Sequence, residues 1–196
     1  QLYNSADSIM VGNYVGSNAL AAVGASSSMI YLLIAFSQGA AVGAGVIVAQ
    51  YLGARDKKSV SDAVHTSLVI AGILGIVLTI AGIVLSRQLL EWMKTPAEVM
   101  EQAVTYFRLY SAGMFFGIVY NMAAGILNAA GNSKRSLLYL AVASFTNIVL
   151  DILFIAILDM GVAGAAIATD ISQAVSCILS MAFLMRVKDS YQVSLK

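Results

Sequence analysis

The sequence contains very few of the residues that build enzyme active sites and nucleic-acid surfaces. Its 196 residues include one cysteine, one proline and 11% charged side chains, whereas a soluble domain carries about 25% charged residues. Cys177 alone excludes a disulfide framework and a thiolate metal site, and His65 alone argues against a histidine-based catalytic or metal site. The net charge of +1 leaves no extended basic surface, so we expect no nucleic-acid partner.

Apolar residues make up 60% of the chain, and they lie in long runs without charge. The longest run, 8–54, has 47 residues, whereas a membrane-spanning helix needs about 20. The turn-like cluster Gly16-Ser17-Asn18 divides this run into two helices. The sequence therefore predicts an all-α, polytopic membrane helix bundle. Its six transmembrane helices cover approximately residues 1–15, 20–52, 60–86, 102–131, 136–158 and 162–186.

The first predicted helix is short. Fifteen residues at about 1.5 Å each span only about 22 Å of a hydrocarbon core about 30 Å thick. The chain also begins with Gln1, not with methionine. We therefore expect a fragment whose first helix is truncated.

The basic residues predict the orientation of the bundle. Eight of the eleven lie in the loops at one end and in the C-terminal tail, while Arg87, Lys94 and Arg108 lie at the other end. By the positive-inside rule, the richer end is cytoplasmic, as are both chain ends. We expect a multi-pass protein of the plasma membrane, with a lobe at 1–186, a cytoplasmic linker beginning at 187–196, and an external stretch, 87–101, lying along the membrane interface. The eight are Arg55, Lys57, Lys58, Lys134, Arg135, Arg186, Lys188 and Lys196.

Small residues predict where helices approach one another. Helices in lipid associate through close packing at small residues, because lipid tails are as apolar as the helices themselves. Two pairs have GxxxG spacing, Gly39 with Gly43 and Gly113 with Gly117, and three more glycines line one side of the third helix. We expect these positions to be contact faces. The three are Gly72, Gly75 and Gly82.

Three carboxylates lie inside predicted spans, where each costs about 2.5–3.5 kcal/mol at a helix centre. Asp7, Asp151 and Asp170 stand seven or eight residues from the outer end of their helices, so all three lie about 10–12 Å below the outer surface. This common depth predicts a shared polar pocket. A purely structural role remains open for each acid, and we favour it for Asp170.

Polar residues at helical spacing accompany the acids. Asn147 precedes Asp151 by four residues, and Tyr3 and Asn4 precede Asp7 by four and three, so each pair shares a helix face. Two further stripes follow the fourth and sixth helices. They consist of Tyr106, Tyr110, Gly113, Gly117, Asn121 and Asn128, and of Thr169, Gln173, Ser176 and Ser180.

A pocket that holds both Asp7 and Asp151 would bind protons as a coupled pair, because burial and a second carboxyl both disfavour ionisation. Such chemistry suits proton exchange. Amide and hydroxyl oxygens added to the carboxylates would instead suit Na⁺, since hard cations prefer oxygen ligands. We expect H⁺ or Na⁺ as the coupling ion, no organic cofactor and no metal other than Na⁺ at Asp7 and Asp151.

Several segments, in this order and spacing, resemble the multidrug and toxic compound extrusion (MATE) family, in particular its DinF/NorM-type branch. Any one of these motifs is weak alone, but together they extend along nearly the whole chain. The segments are 3–12 (YNSADSIMVG), 19–24 (ALAAVG), 50–54 (QYLGA), 131–135 (GNSKR), 147–151 (NIVLD) and 160–166 (MGVAGAA).

The resemblance implies one six-helix lobe of a twelve-helix antiporter that exports amphipathic, cationic compounds in exchange for H⁺ or Na⁺. Its partners would be the substrate, membrane lipid and a second, C-terminal six-helix lobe. Asp7 matches the coupling acid of the first helix, and Asn147 and Asp151 match the fifth-helix pair beside it. Thr169 and Asn121 fall near further polar positions of that site. Tyr3, Asn4, Asp170 and Gln173 are accessory candidates, although an acid at Asp170 departs from the family pattern.

Three other functions are weighed against export. A flippase for lipid-linked saccharides, from the same superfamily, would need a cationic central cavity, but the basic residues lie at the membrane edges. An intramembrane enzyme would need a nucleophile with a positioned base or a histidine cluster, for which the sequence has few residues. A scaffold bundle would not need acids at one depth. The sequence therefore favours a transporter over an enzyme.

Overall fold

The computed structural model describes the backbone of residues 2–194 and the side chains of residues 7–194. The chain folds into successive helices joined by short turns, and no strand occurs among the described residues. Five helices are long and apolar enough to cross a membrane, whereas α1 has 13 residues. The helices are α1 (Leu2–Tyr14), α2 (Ser17–Gly53), α3 (Lys57–Trp92), α4 (Ala97–Ala129), α5 (Ser133–Asp151), a π-helical segment (Ile152–Ile157) and α6 (Gly161–Arg186).

The predicted all-α membrane bundle is confirmed, and local signals explain where the helices begin. Gly16 separates α1 from α2 with a φ of 113°, a backbone conformation that residues other than glycine rarely adopt. Asp56 caps α3 by accepting a hydrogen bond of 3.1 Å from the backbone N–H of Ser59. Hydrogen bonds from the Ser59 side chain and backbone hold the pKa of the Asp56 carboxyl below its usual value.

The stretch 87–101, which is predicted to lie along the membrane interface, consists of the end of α3, a short turn and the start of α4. Helix α3 continues to Trp92 and α4 begins at Ala97, so only 93–96 is non-helical. Helical periodicity persists here because Leu90 and Val99 are buried in the core. Arg87 also joins the two helices, with its Nη1 3.0 Å from Glu101 Oε1.

Helix α4 is the centre of the bundle and packs against α2, α3 and α6. Glycine allows each of these approaches. A Cβ added at Gly125 would lie 2.6 Å from the carbonyl oxygen of Ala41 on α2, and one added at Gly75 would lie 2.9 Å from the Phe115 ring. Contacts of this kind bring backbones together where no larger residue fits.

The glycine prediction holds for some positions and fails for others. Gly75, Gly82 and the pair Gly113 and Gly117 lie at helix contacts. A Cβ at Gly72, or at the α2 pair 39 and 43, would meet no other atom within 4 Å in the described chain. GxxxG spacing alone does not distinguish a contact face from an open one, because spacing places two glycines on one side of a helix without showing what lies opposite.

Large apolar side chains cover the outer faces of α2, α3 and α5. Phe36, Val84 and Phe145 are exposed by 60%, 69% and 71%. In water such a surface would drive aggregation, whereas in a bilayer it faces lipid tails. Together with the five apolar helices, it identifies a multi-pass membrane protein.

We expect Gly125→Ala to lower the free energy of unfolding by about 1–3 kcal/mol, because the added methyl group overpacks the α2–α4 contact. Gly72→Ala is the matched control, since it adds a methyl group in open space and improves helix propensity. Thermal unfolding in lipid nanodiscs measures both. Equal melting temperatures for the two variants would contradict the assignment of Gly125 as the closest α2–α4 contact.

Candidate functional site

Helices α1, α5 and α6 bring together four of the predicted site residues. Asp7 comes from α1, Asn147 and Asp151 from α5, and Thr169 from α6, and each is fully buried. The i, i+4 spacing of the α5 pair directs both side chains toward α1. The four side chains form one polar group, the Asp7 cluster, inside an otherwise apolar bundle.

Hydrogen bonds from two helices hold the Asp7 carboxyl. The Thr169 hydroxyl donates to Oδ2 at 2.8 Å, and the Asn147 amide donates to Oδ1 at 3.2 Å. The same amide lies 3.4 Å from the Thr169 hydroxyl oxygen. Because each oxygen of Asp7 has a donor, the cost of burying this carboxyl group is reduced.

Asp151 is buried beside Asp7 but has no comparable hydrogen-bond donors in the part of the chain that the structure describes. Neither of its carboxyl oxygens accepts a hydrogen bond within the described residues, and the side-chain oxygen of Asn147 also lacks a donor. Asp151 lies close to Asp7, because Asn147, one helical turn earlier on the same face of α5, hydrogen-bonds to the Asp7 carboxyl. A single proton shared between the two carboxyl groups, or a cation among these oxygens, would supply the missing partner.

The backbone changes its hydrogen-bonding pattern immediately after Asp151. Helix α5 ends at that residue, and the next turn, Ile152–Ile157, is π-helical. Such segments frequently occur at functional sites, because they change the direction of neighbouring side chains and leave the helix able to rearrange. The apolar composition of 152–157 contains no signal from which this could be predicted.

Tyr106 of α4 is a site residue that the sequence placed only in a polar stripe. Its side chain is 3% exposed and lies within electrostatic range of Asp7, Asp151 and Asp170. Its ring centroid is 6.1 Å from that of Tyr110. The stripe showed that these tyrosines share a helix face, but not that this face meets the acids of three other segments.

Asp170 and Gln173 face α4 and lie outside the hydrogen bonds of the Asp7 cluster. The Asp170 carboxyl occupies the space where Gly113 has no side chain, and its Oδ1 is buried without a hydrogen-bond partner in the described chain. Gln173 lies over Gly117 and approaches the Tyr110 hydroxyl, at 3.4 Å. The space beside Gly113 and Gly117 therefore accommodates two polar side chains of α6.

Asn121 is also separate from the Asp7 cluster. Its amide donates to the Ser37 hydroxyl of α2 at 3.1 Å. Both Asn121 and Gln173 line a cavity of about 50 Å³ between α2, α4, α5 and α6, which is large enough to hold water. Tyr3 and Asn4, the accessory candidates of α1, have side chains outside the described residues.

Comparisons with known proteins agree along the chain. The MatE family model matches residues 1–153. The chain is 33% identical over 182 residues to the probable multidrug resistance protein YpnP of Bacillus subtilis (strain 168), covering 93% of this chain and 41% of that protein. The probable multidrug resistance protein YoeA of the same strain is 31% identical, with 93% and 40% covered.

Solved structures show the same fold. A crystal structure of MATE in the bent conformation has a TM-score of 0.92 and 37% identity, and the match covers 99% of this chain and 43% of that one. A MOP superfamily transporter from Pyrococcus furiosus Vc1 has a TM-score of 0.91 and 36% identity, with 99% and 43% covered. The chain thus spans less than half the length of these relatives, and it belongs to the MATE family of membrane transporters.

Proposed function

We propose that the chain forms the N-terminal lobe of a secondary-active antiporter that exports amphipathic, cationic compounds in exchange for H⁺ or Na⁺. The observation that carries the proposal is the adjacent pair of buried carboxyls: Asp7 accepts hydrogen bonds from Thr169 and Asn147, whereas Asp151 accepts none within the described residues. The names of the two Bacillus relatives, probable multidrug resistance proteins, support the substrate class. The second lobe would come from the part of such relatives that this chain does not cover.

The cluster can couple ion binding to helix movement through charge. When both carboxyls are ionised, two like charges lie close together in a medium of low dielectric constant, and their repulsion is large. One H⁺ or Na⁺ removes that repulsion. An ion that binds more tightly when α1 is packed on α5 and α6 shifts the protein toward that arrangement, and its release favours the other.

The hydrogen bond between Thr169 and Asp7 couples the position of α1 to that of α6. The Thr169 hydroxyl donates a hydrogen bond of 2.8 Å to the Asp7 carboxyl and so links the two helices directly. Movement of α1 away from α6 breaks this bond and exposes the carboxyl to water. The exposed and enclosed carboxyls differ in affinity for a cation, as alternating access requires.

Asp7→Asn should strongly reduce ion-driven export, because a neutral amide can neither take up the proton nor balance Na⁺. We expect the rate of substrate export from proteoliposomes of the full-length protein to fall by about tenfold or more, equivalent to about 1.4 kcal/mol of lost coupling. Asp159→Asn, at an exposed acid in the α5–α6 turn, is the control. Undiminished coupled transport by the Asp7 variant would refute the assignment.

Thr169→Val should reduce export at a fixed ion gradient, because it removes a hydrogen bond to a charged group that is worth about 1.5–3 kcal/mol. Thr169→Ser, which keeps the hydroxyl, should restore export. Imposing an H⁺ gradient and a Na⁺ gradient separately on proteoliposomes identifies the coupling ion. If the valine variant matches the wild type under both gradients, the hydroxyl has no part in coupling.

We further propose that the end of the bundle with the α2–α3 and α4–α5 turns is cytoplasmic, on the basis of its basic residues. In a Cys177→Ala background, Asp189→Cys should react with a membrane-impermeant maleimide only in inside-out vesicles. Glu98→Cys should react only in right-side-out vesicles. The reverse pattern would invert the orientation.

A further inference from the structure

A groove of about 560 Å³ lies between α2 and α3, remote from the Asp7 cluster. Sites for drug-sized molecules have volumes of about 300–1,000 Å³. Its walls come from α2 and α3, with Met122 of α4 added, and no residue of α1, α5 or α6 lines it. The lining consists of Ala40, Gly43, Ala44, Ile47, Tyr51, Ser59, Asp62, Ala63, Thr66, Ser67, Ile70 and Met122.

Three of the five α2 residues that line the groove are small: Ala40, Gly43 and Ala44. Gly43 follows Ala40 by three residues and precedes Ile47 by four, so the three share one side of the helix. A Cβ at Gly43 would meet no atom within 4 Å, which shows that the space beside it is open in the described chain. The open GxxxG face, which the fold leaves without a helix contact, is therefore part of this groove.

Polarity changes along the groove from one end to the other. Ser59, Asp62 and Tyr51 lie near the α2–α3 turn, whereas Ile70 and Ala40 lie toward the middle of the helices. Asp62 and Ile70 are eight residues apart on α3, or about 12 Å. The groove is thus charged near the membrane surface, carries the hydroxyl groups of Thr66 and Ser67 midway, and is apolar at its far end beside Ile70 and Ala40. This order matches that of an amphipathic molecule in one leaflet.

The charge of the groove selects a cation. Asp62 is exposed, and among the residues that the structure describes no lysine or arginine lines the groove. Lys58 stands one helical turn earlier, but within the described residues Asp62 forms no ion pair with it or with any other base. A carboxylate beside apolar walls attracts an ammonium group and repels the phosphate of an anionic lipid.

We propose that this groove binds amphipathic compounds with a single ammonium group, the head at Asp62 and the apolar body along Gly43 and Ile70. It is a site where such a compound, dissolved in the leaflet that we assign to the cytoplasmic side, first meets the protein. In that role it rests on the proposed export function. Binding itself requires neither ion coupling nor Asp7, so the two proposals can fail separately.

Equilibrium binding of radiolabelled dodecyltrimethylammonium to the full chain in phosphatidylcholine nanodiscs tests the site, with empty nanodiscs subtracted. We expect saturable binding that Asp62→Asn weakens about fivefold to tenfold, as for loss of an ion pair in a partly apolar setting. Asp159→Asn is the charge control and should leave affinity unchanged. The assay contains no ion gradient, so its result does not depend on coupled export.

Filling the groove tests its location. Gly43→Leu should abolish saturable binding, whereas Gly24→Leu, at an exposed α2 position that is equally open, should not. Unchanged melting temperatures confirm that both variants fold. Affinities equal to wild type in both Asp62→Asn and Gly43→Leu would overturn the proposal.

The remaining alternative is that another protein segment, or a second copy of this chain, covers the groove. In a Cys177→Ala background, Gly43→Cys should react with a lipid-soluble maleimide as fast as Gly24→Cys does. If the maleimide labels position 43 more slowly than position 24 even without dodecyltrimethylammonium, the groove is covered and the proposal is overturned. Protection that appears only with the probe supports it.

Discussion

The hydrogen bonds to Asp7 are the interaction on which the site depends, because a carboxylate inside a membrane bundle needs donors or a neutralising cation. Thr169 and Asn147 supply those donors from α6 and α5 and thereby attach the short helix α1 to the rest of the lobe. Asp151, beside it, has no donor in the described chain. This inequality makes the pair responsive to a proton or Na⁺, since only the second carboxyl still lacks a partner.

Close packing around α4 determines where the polar residues can lie. Glycines at 75, 82, 113, 117 and 125 let α2, α3 and α6 approach its backbone, and the space at Gly113 and Gly117 admits Asp170 and Gln173. Helix packing therefore separates the three acids, Asp7, Asp151 and Asp170, that the sequence predicted at one depth. Two enter the Asp7 cluster, while the third, Asp170, occupies the space beside Gly113 on α4.

The candidate site could be predicted from the sequence in part. Asn147 and Asp151 share a helix face by spacing, and Asp7 is conspicuous as a charge within an apolar segment, so these residues followed from residue type and periodicity. Spacing placed Thr169 in a polar stripe of the sixth helix, and the resemblance to a known family placed it near this site. Asn121 lies instead beside Ser37, because its helix face meets α2, and spacing along one helix carries no information about which neighbour that face will meet.

The amino-acid sequence by itself determined the class of protein, the number and approximate limits of the helices, and the acids within them, because hydropathy, charge and glycine positions are local properties. The tertiary structure alone decided which glycines are contacts and which, such as Gly43, remain open. It also decided that Asp170 is set apart from Asp7 and Asp151, and that a π-helical turn follows Asp151. The physical reason is that helix rotation and partner choice result from the simultaneous packing of several helices, and no single segment encodes them.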